Sequence, residues 1–212
     1  GLGGTGSYVL DLVAKTPVKE IHLFDGDDYL SHNAFRSPGA ASLDELNGRP
    51  KKVEYFQKKY SAMHRRVFAH PAYVDESNIG ELRGFSFVFL CMDSGEAKEI
   101  IVKSLEEFDI TFVDVGMGIQ MVDGVLNGLL RVTSSSSEKR DHVHAKNRIS
   151  FVDADEVNEY ESNIQVADLN ALNAALAVVK WKKLFGFYFD QEGEHHSIYN
   201  INGNCIMNED RI

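Results

Sequence analysis

Directly after Gly6, apolar residues recur at helical spacing at Tyr8, Val9, Leu12 and Val13, so a helix is expected to start at the glycines. Ile21-His22-Leu23-Phe24 is a short apolar run ending in the acid Asp25, which predicts the second strand of a parallel sheet with its carboxyl end at Asp25. Small and polar residues from Pro38 to Pro50 predict a loop. Residues 51–64 carry Val53, Phe56, Tyr60 and Met63 at helical intervals and predict a helix that buries those four, and residues 67–74 predict an edge strand interrupted by Pro71. Residues 85–91 are the most hydrophobic stretch and predict a central strand, with Asp93 just past its carboxyl end. A helix over 96–108 and a buried strand over 110–115 follow. This alternation predicts an α/β chain built on a doubly wound, mostly parallel sheet.

After Gly116 the pattern changes, and a mixed or antiparallel carboxyl-terminal part is expected. Residues 122–132 and 148–152 predict strands flanking a mobile loop over 134–141, within a crossover region of about 116–160. Residues 164–184 predict a long helix ended by Gly186, and 187–189 with 198–207 predict a closing hairpin. No internal repeat interrupts this order, so residues 1–212 read as a single domain.

Composition narrows the class. With 43% hydrophobic and 25% charged residues, the 212-residue chain can bury a sizeable core, which excludes disorder, collagen and coiled coil. A formal charge of -10 disfavours nucleic acid and anionic membrane surfaces as partners. The two cysteines, Cys91 and Cys205, form no C-x-x-C pair, so neither a disulfide framework nor a thiolate zinc site is supported and a cytoplasmic location is expected. No apolar run approaches the roughly 18 residues of a membrane-spanning helix.

The chain opens on Gly1-Leu2-Gly3-Gly4-Thr5-Gly6. A glycine loop that binds phosphate normally follows a buried strand, which aims its N–H groups, so the sequence reads as a domain lacking its first strand. Gly1, Gly3 and Gly6 satisfy the G-x-G-x-x-G spacing, and Asp25 lies about twenty residues on, as a ribose-binding acid should. Alone, these features would suggest an NAD-dependent oxidoreductase. The extra Gly4, the doubled acid Asp25-Gly26-Asp27, Asn33 and Arg36, Lys51 and Lys52, and the strand-end Asp93 suit a triphosphate with a metal ion better than a nicotinamide.

Taken together, Gly-x-Gly-Gly-Thr-Gly, Asp-x-Asp, Asn-x-x-Arg, the Lys-Val helix start and the strand-end Asp resemble the ThiF/MoeB family, relatives of the ubiquitin-activating enzymes. The resemblance implies a Rossmann-like adenylation domain. Gly1, Gly3, Gly4 and Gly6 would hold the nucleotide, Asp25 would bind ribose with Asp27 beside it, and Asn33, Arg36 and a lysine would reach the triphosphate. Gly-x-x-Lys spacing points to Lys51 and helix phase to Lys52. Asp93 would coordinate magnesium, making Arg36, Lys52 and Asp93 the catalytic set. The implied reaction is ATP- and Mg-dependent activation of the carboxyl terminus of a ubiquitin-like or sulfur-carrier protein, by a chain that forms a homodimer.

The chain departs from ubiquitin-activating enzymes in having no cysteine between residues 92 and 204. Cys91 reads as a structural thiol inside a strand, and the activity is expected to stop at the adenylate unless a nucleophile is supplied elsewhere. Two rivals remain, a scaffold half of a heterodimeric activating enzyme and the oxidoreductase. Secondary candidates have bland readings beside them: His195-His196 as a solvated turn, His142 and His144 in a mobile charged loop, Asp114 as metal support or structural carboxylate, and Asp93 as a helix cap. Asn170 and Asn173 share one helical face and are expected to cap or to bond across an interface.

Overall fold

The computed structural model describes residues 1–93, 95–151 and 164–212. Helix α1 (Gly4–Val13) leads to strand β1 (Ile21–Phe24), the short helices α2 (Ser31–Ala34) and α3 (Leu43–Asn47), helix α4 (Lys52–Tyr60) and strand β2 (Val67–His70). Strand β3 (Val88–Leu90), helix α5 (Glu96–Glu107) and the long strands β4 (Phe112–Val122) and β5 (Val125–Ser135) come next. Helix α6 (Asp141–Ala145), the long helix α7 (Ala167–Leu184), and strands β6 (Glu194–Asn200) and β7 (Cys205–Arg211) complete the described chain.

β1 and β2 pair in parallel, β3 and β4 pair in parallel, and β4 through β7 continue as antiparallel neighbours. The architecture is the expected α/β one, parallel early and antiparallel late. β1 and β3 lie in separate sheets, and a cavity of about 2120 Å3 is lined by both and by Val9, Leu10 and Val13 of α1. α1 packs on α7 through Val9, Val13, Ala174 and Val178, which places the amino end of α1 over the sheet. Tyr29, Val53, Phe56 and Tyr60 form a second core under β1 and β2, and Val102, Leu105, Phe112 and Val143 a third.

Several expectations need correction. α4 stops at Tyr60, so Met63 falls beyond it and is exposed, and residues 43–47 of the expected loop are helical. β4 does not end at Gly116 but runs on to Val122, where Asp123 and Gly124 adopt φ of 50° and 80° and reverse the chain into β5. Such a two-residue turn matches the twist of a hairpin. Ser134 and Ser135 end β5 in full burial and residues 141–145 form α6, so 134–141 is no mobile loop. Arg148, Ile149, Ser150 and Phe151 form no strand, and Val152 lies outside the described residues. The closing hairpin is β6 with β7, which leaves Phe187 and Phe189 exposed. His195 and His196 sit buried in β6, not in a solvated turn, because the hydroxyls of Ser134 and Thr133 on β5 satisfy their ring nitrogens at 3.0 and 2.9 Å.

Candidate functional site

The carboxyl ends of β1 and β3 face the amino end of α1, and the residues singled out in the sequence converge there. Gly1, Gly3, Gly4, Gly6, Asp25, Asp27, Arg36, Lys52 and Asp93 line the cavity, whereas Asn33 and Lys51 stand outside its wall. The glycine loop is held by close approaches. A Cβ on Gly1 would meet the Cys91 carbonyl oxygen at 2.5 Å, one on Gly6 would collide with the Gly1 carbonyl, and one on Gly4 would fall on the Asn170 amide. Gly3 is different: among the described residues no atom lies within 4 Å of where its Cβ would be, so its bare backbone is open to a ligand. The first N–H groups of a helix lack intrahelical acceptors, and the four glycines leave those of α1 open to an anion.

Asp25 ties this loop to β1. It is buried, and its two oxygens accept from the Leu2 N–H at 2.6 Å and the Asp27 N–H at 2.9 Å. Each oxygen keeps a further lone pair for a ribose hydroxyl. Lys52, at the start of α4, is buried with its Nζ 2.6 Å from Asp27 and 3.6 Å from Asp25. Lys51 instead caps α4 from outside, donating to the Gly26 carbonyl at 2.8 Å and pairing with Asp28. Of the two lysines, Lys52 lines the cavity and Lys51 does not. Burial works against ionisation of Asp27, but hydrogen bonds from Lys52 and Tyr73 outweigh it and lower its pKa. The same contact with Asp27 pushes the Tyr73 phenol up to about 12, and the Tyr73 ring lies over Gly26.

Asn33 uses its side-chain oxygen locally, accepting from the Leu30 N–H at 2.9 Å to start α2. Arg36 lines the cavity with a buried Nε that has no hydrogen-bond partner among the described residues. An orphaned guanidinium N–H is costly without an acceptor, so it fits an anionic ligand. Asp93 is exposed and forms no hydrogen bond or ion pair among the described residues; α5 is capped at Gly95, which removes the capping role. No group of three or more His, Cys, Asp or Glu side chains is placed to hold a metal among the described residues. The single Asp93 carboxylate is the kind of donor that magnesium takes, since that ion completes its shell with phosphate oxygens and water.

Cys91 borders the same cavity, and burial pushes its thiol up to about 11, which fits a structural sulfur. Cys205 is free and exposed on β7.

Four further side chains stand in the site that motif spacing did not reveal or did not place. Asn170 on α7 accepts from the Thr5 hydroxyl at 2.8 Å, and Asn173, one turn on, donates to the Gly116 carbonyl at 3.0 Å. Lys98 and Arg131 line the cavity and flank the fully buried Asp114 at 2.9 and 2.5 Å, which gives Asp114 the role of a structural ion-pair carboxylate. Lys98 did carry a signal: it stands on the same stripe of α5 as the buried Ile101, Val102 and Leu105, where a charged residue needs a reason.

A sequence profile of the ThiF family matches residues 1–129. The chain belongs to the ThiF family. Solved structures agree on the fold. The structure of PaaA superposes with a TM-score of 0.69 at 20% identity, covering 99% of this ThiF-family chain and 62% of PaaA. E. coli MccB with ATP superposes at 0.74 with 15% identity, and E. coli MccB with AMPCPP and MccA at 0.74 with 16% identity, each over 100% of this chain and 63% of MccB. The chain thus spans about three fifths of the length of these proteins. No curated protein matches it by sequence. No helix among the described residues is long and apolar enough to cross a membrane.

Proposed function

We propose that this ThiF-family chain, as one domain over residues 1–212, activates a carboxylate by ATP-dependent adenylation, and that the carboxylate is the carboxyl terminus of a protein or peptide, of the ubiquitin-like or sulfur-carrier kind. The observation that carries this reading is one cavity lined by Arg36, whose buried Nε has no hydrogen-bond partner among the described residues, by Asp93, whose carboxylate has none there either, and by the open backbone of Gly3. The MccB structures solved with ATP, and with AMPCPP and MccA, support the nucleotide and the substrate class.

In the reaction, a carboxylate oxygen of the substrate attacks the α-phosphorus of ATP. The P–O bond to the β-phosphate breaks, and an acyl adenylate and pyrophosphate form. The backbone N–H groups at the start of α1 steady the α-phosphate, and Asp25 orients the ribose. Arg36 and Lys52 offset the charge that gathers on the departing pyrophosphate, with Lys52 moving from Asp27 toward it. Magnesium, held by Asp93, would neutralise triphosphate charge when bound. No side chain need act as a nucleophile, in keeping with the unreactive environment of Cys91. A homodimer and a cytoplasmic location accompany this reading.

The test is exchange of radiolabelled pyrophosphate into ATP by the full-length protein with a carboxylate substrate. Exchange that Asp93→Ala abolishes is expected. Undiminished exchange in that variant would remove Asp93 from the reaction, and no exchange with a verified partner would favour a scaffold role.

A further inference from the structure

Asp114 is fully buried near the carboxyl end of the parallel part of β4, in register with Leu90 of β3, and does not itself reach the cavity. Two cations meet it there. Arg131 Nη2 donates to Asp114 Oδ2 at 2.5 Å, while Lys98 approaches Oδ1 at 2.9 Å as an ion pair without a directed hydrogen bond. Neither cation has another ion-pair partner among the described residues, and both line the cavity that holds Gly3 and Asp93. One carboxylate for two cations leaves a net positive charge in a poorly hydrated place. Such a charge is costly unless an anion completes it.

Gly116 is the second half of the arrangement. It is the cross-strand partner of Arg131, and a Cβ there would meet the guanidinium at 2.7 Å, so the absence of a side chain lets Arg131 lie across the strand. From the other side, Asn173 donates to the Gly116 carbonyl. Asn173 is fully buried, and its Oδ1 has no hydrogen-bond partner among the described residues. The junction thus offers a cationic group with an unmatched charge and, beside it, a buried acceptor with an unmatched lone pair. The last residue of a peptide carries the two complements, a carboxylate and, one bond sequence earlier, a backbone N–H.

We propose that Arg131 and Lys98, held apart by Asp114, seat the terminal carboxylate of the acyl substrate, and that Asn173 accepts the N–H of its last residue. This inference rests on the adenylation reading and adds to it the residues that select a peptide carboxyl terminus. A carboxylate held through one oxygen keeps the other for attack on the α-phosphorus, so the pair positions the nucleophile without consuming it. Arg131 and Asn173 are specificity residues in this scheme, and Asp114 is a positioning residue.

The test uses the full-length protein loaded with α,β-methylene ATP and titrated by calorimetry with the tripeptide Ala-Gly-Gly, once with a free carboxylate and once as the carboxyl-terminal amide. The wild-type protein is expected to bind the carboxylate form at least about tenfold more tightly, a difference of about 1.4 kcal/mol. Arg131→Gln should abolish that preference while leaving affinity for the ATP analogue within about twofold, and Arg131→Lys should restore part of it. Asn173→Ala should weaken both tripeptides alike. Equal binding of the two tripeptides by wild-type protein, or no binding of either, overturns the inference without needing any variant to fold. A loss in Arg131→Gln that falls on the ATP analogue also overturns it, since the cations would then serve phosphate. Retained binding of the analogue in any of these cases leaves the nucleotide site standing, whereas its absence in wild-type protein takes down the adenylation reading and this inference together.

Discussion

Gly4 and Asn170 meet at the start of α1 without room between them: the Asn170 amide occupies the space that a Cβ at position 4 would need, and its oxygen accepts from the Thr5 hydroxyl at 2.8 Å. The carboxyl-terminal helix α7 therefore sets the position of the amino-terminal glycine loop. Gly4→Ala should destabilise the fold by about 1–3 kcal/mol through overpacking. Asn170→Ala should cost about 1 kcal/mol through the lost hydrogen bond. If the contact is direct, the double variant recovers part of the sum, because the alanine methyl then has space. Urea denaturation of the four proteins measures this cycle, and strict additivity would deny the contact.

Lys52 is the cation between two acids. Its removal in Lys52→Met leaves Asp25 and Asp27 facing one another without compensation, and Asp27 loses the hydrogen bond that does most to hold its pKa down. Wild-type stability from Asp27 is present above its unfolded pKa of about 3.8 and is lost as pH falls through its lower folded value. Lys52→Met should flatten that acid limb and weaken ATP binding together. Urea midpoints between pH 5 and pH 2 and an ATP titration test the pair, and an unchanged acid limb would show that Lys52 does not govern Asp27.

The histidines of β6 give the fold a second pH dependence of opposite chemistry. Burial, with Lys180 and His142 nearby, lowers the pKa of His195 to about 4, and burial with Arg148 and Arg131 lowers that of His196 to about 4. Asp210 and Glu209 face His196 and Asp190 faces His195, but these carboxylates do not reverse the shifts. Both rings are neutral when folded, while the unfolded chain takes up protons near the ordinary 6.5. Their contribution is therefore complete above pH 6.5 and is lost as pH falls from there toward 4, at up to about 1.4 kcal/mol per pH unit for each ring. His142, also lowered by burial, adds in the same direction. His195→Gln with His196→Gln should remove most of this slope between pH 7 and pH 4, measured by urea denaturation. A slope unchanged in that variant would place the titrating groups elsewhere.

The parts of the chain that could be read in advance are those whose periodicity runs uninterrupted to a stop. α1, α5 and α7 keep an apolar stripe until a terminating residue, and Gly186 ends α7 with φ of 68°. The β4–β5 hairpin was legible in Asp123-Gly124, flanked by apolar residues, but Gly116 looked like a boundary and diverted the reading. Ser134 and Ser135 read as loop because serine is polar, and their burial depends on distant partners such as His195. The site shows the same division. Gly1, Asp25, Arg36 and Asp93 follow one another at spacings that a motif records, whereas the junction of Lys98, Asp114, Arg131 and Asn173 exists only through sheet register and the packing of α7.

The turn itself can be tested separately. Gly124 holds φ of 80°, a conformation that a β-branched residue resists, and among the described residues no atom crowds the position. Gly124→Val should therefore destabilise by about 1–2 kcal/mol through backbone strain alone. Gly124→Asn should cost less, because asparagine tolerates the left-handed region. Thermal unfolding of the two variants checks the order, and equal losses would mean that the turn is not held as described.

The last prediction concerns which cysteine can react. Cys91 borders the cavity, and burial pushes its thiol up to about 11, so it stays a protonated, poorly nucleophilic thiol at the pH of the labelling. Cys205 is exposed at the start of β7 and faces no such barrier. Brief iodoacetamide treatment of the native protein should therefore alkylate Cys205 and spare Cys91, and urea should make both accessible. Cys205→Ser should remove the native label. If adenylation proceeds without a thioester, that variant also keeps full pyrophosphate exchange. Mass spectrometry of tryptic peptides reads the labelling directly. Alkylation of Cys91 in the folded protein, or loss of exchange in Cys205→Ser, would restore a cysteine to the chemistry.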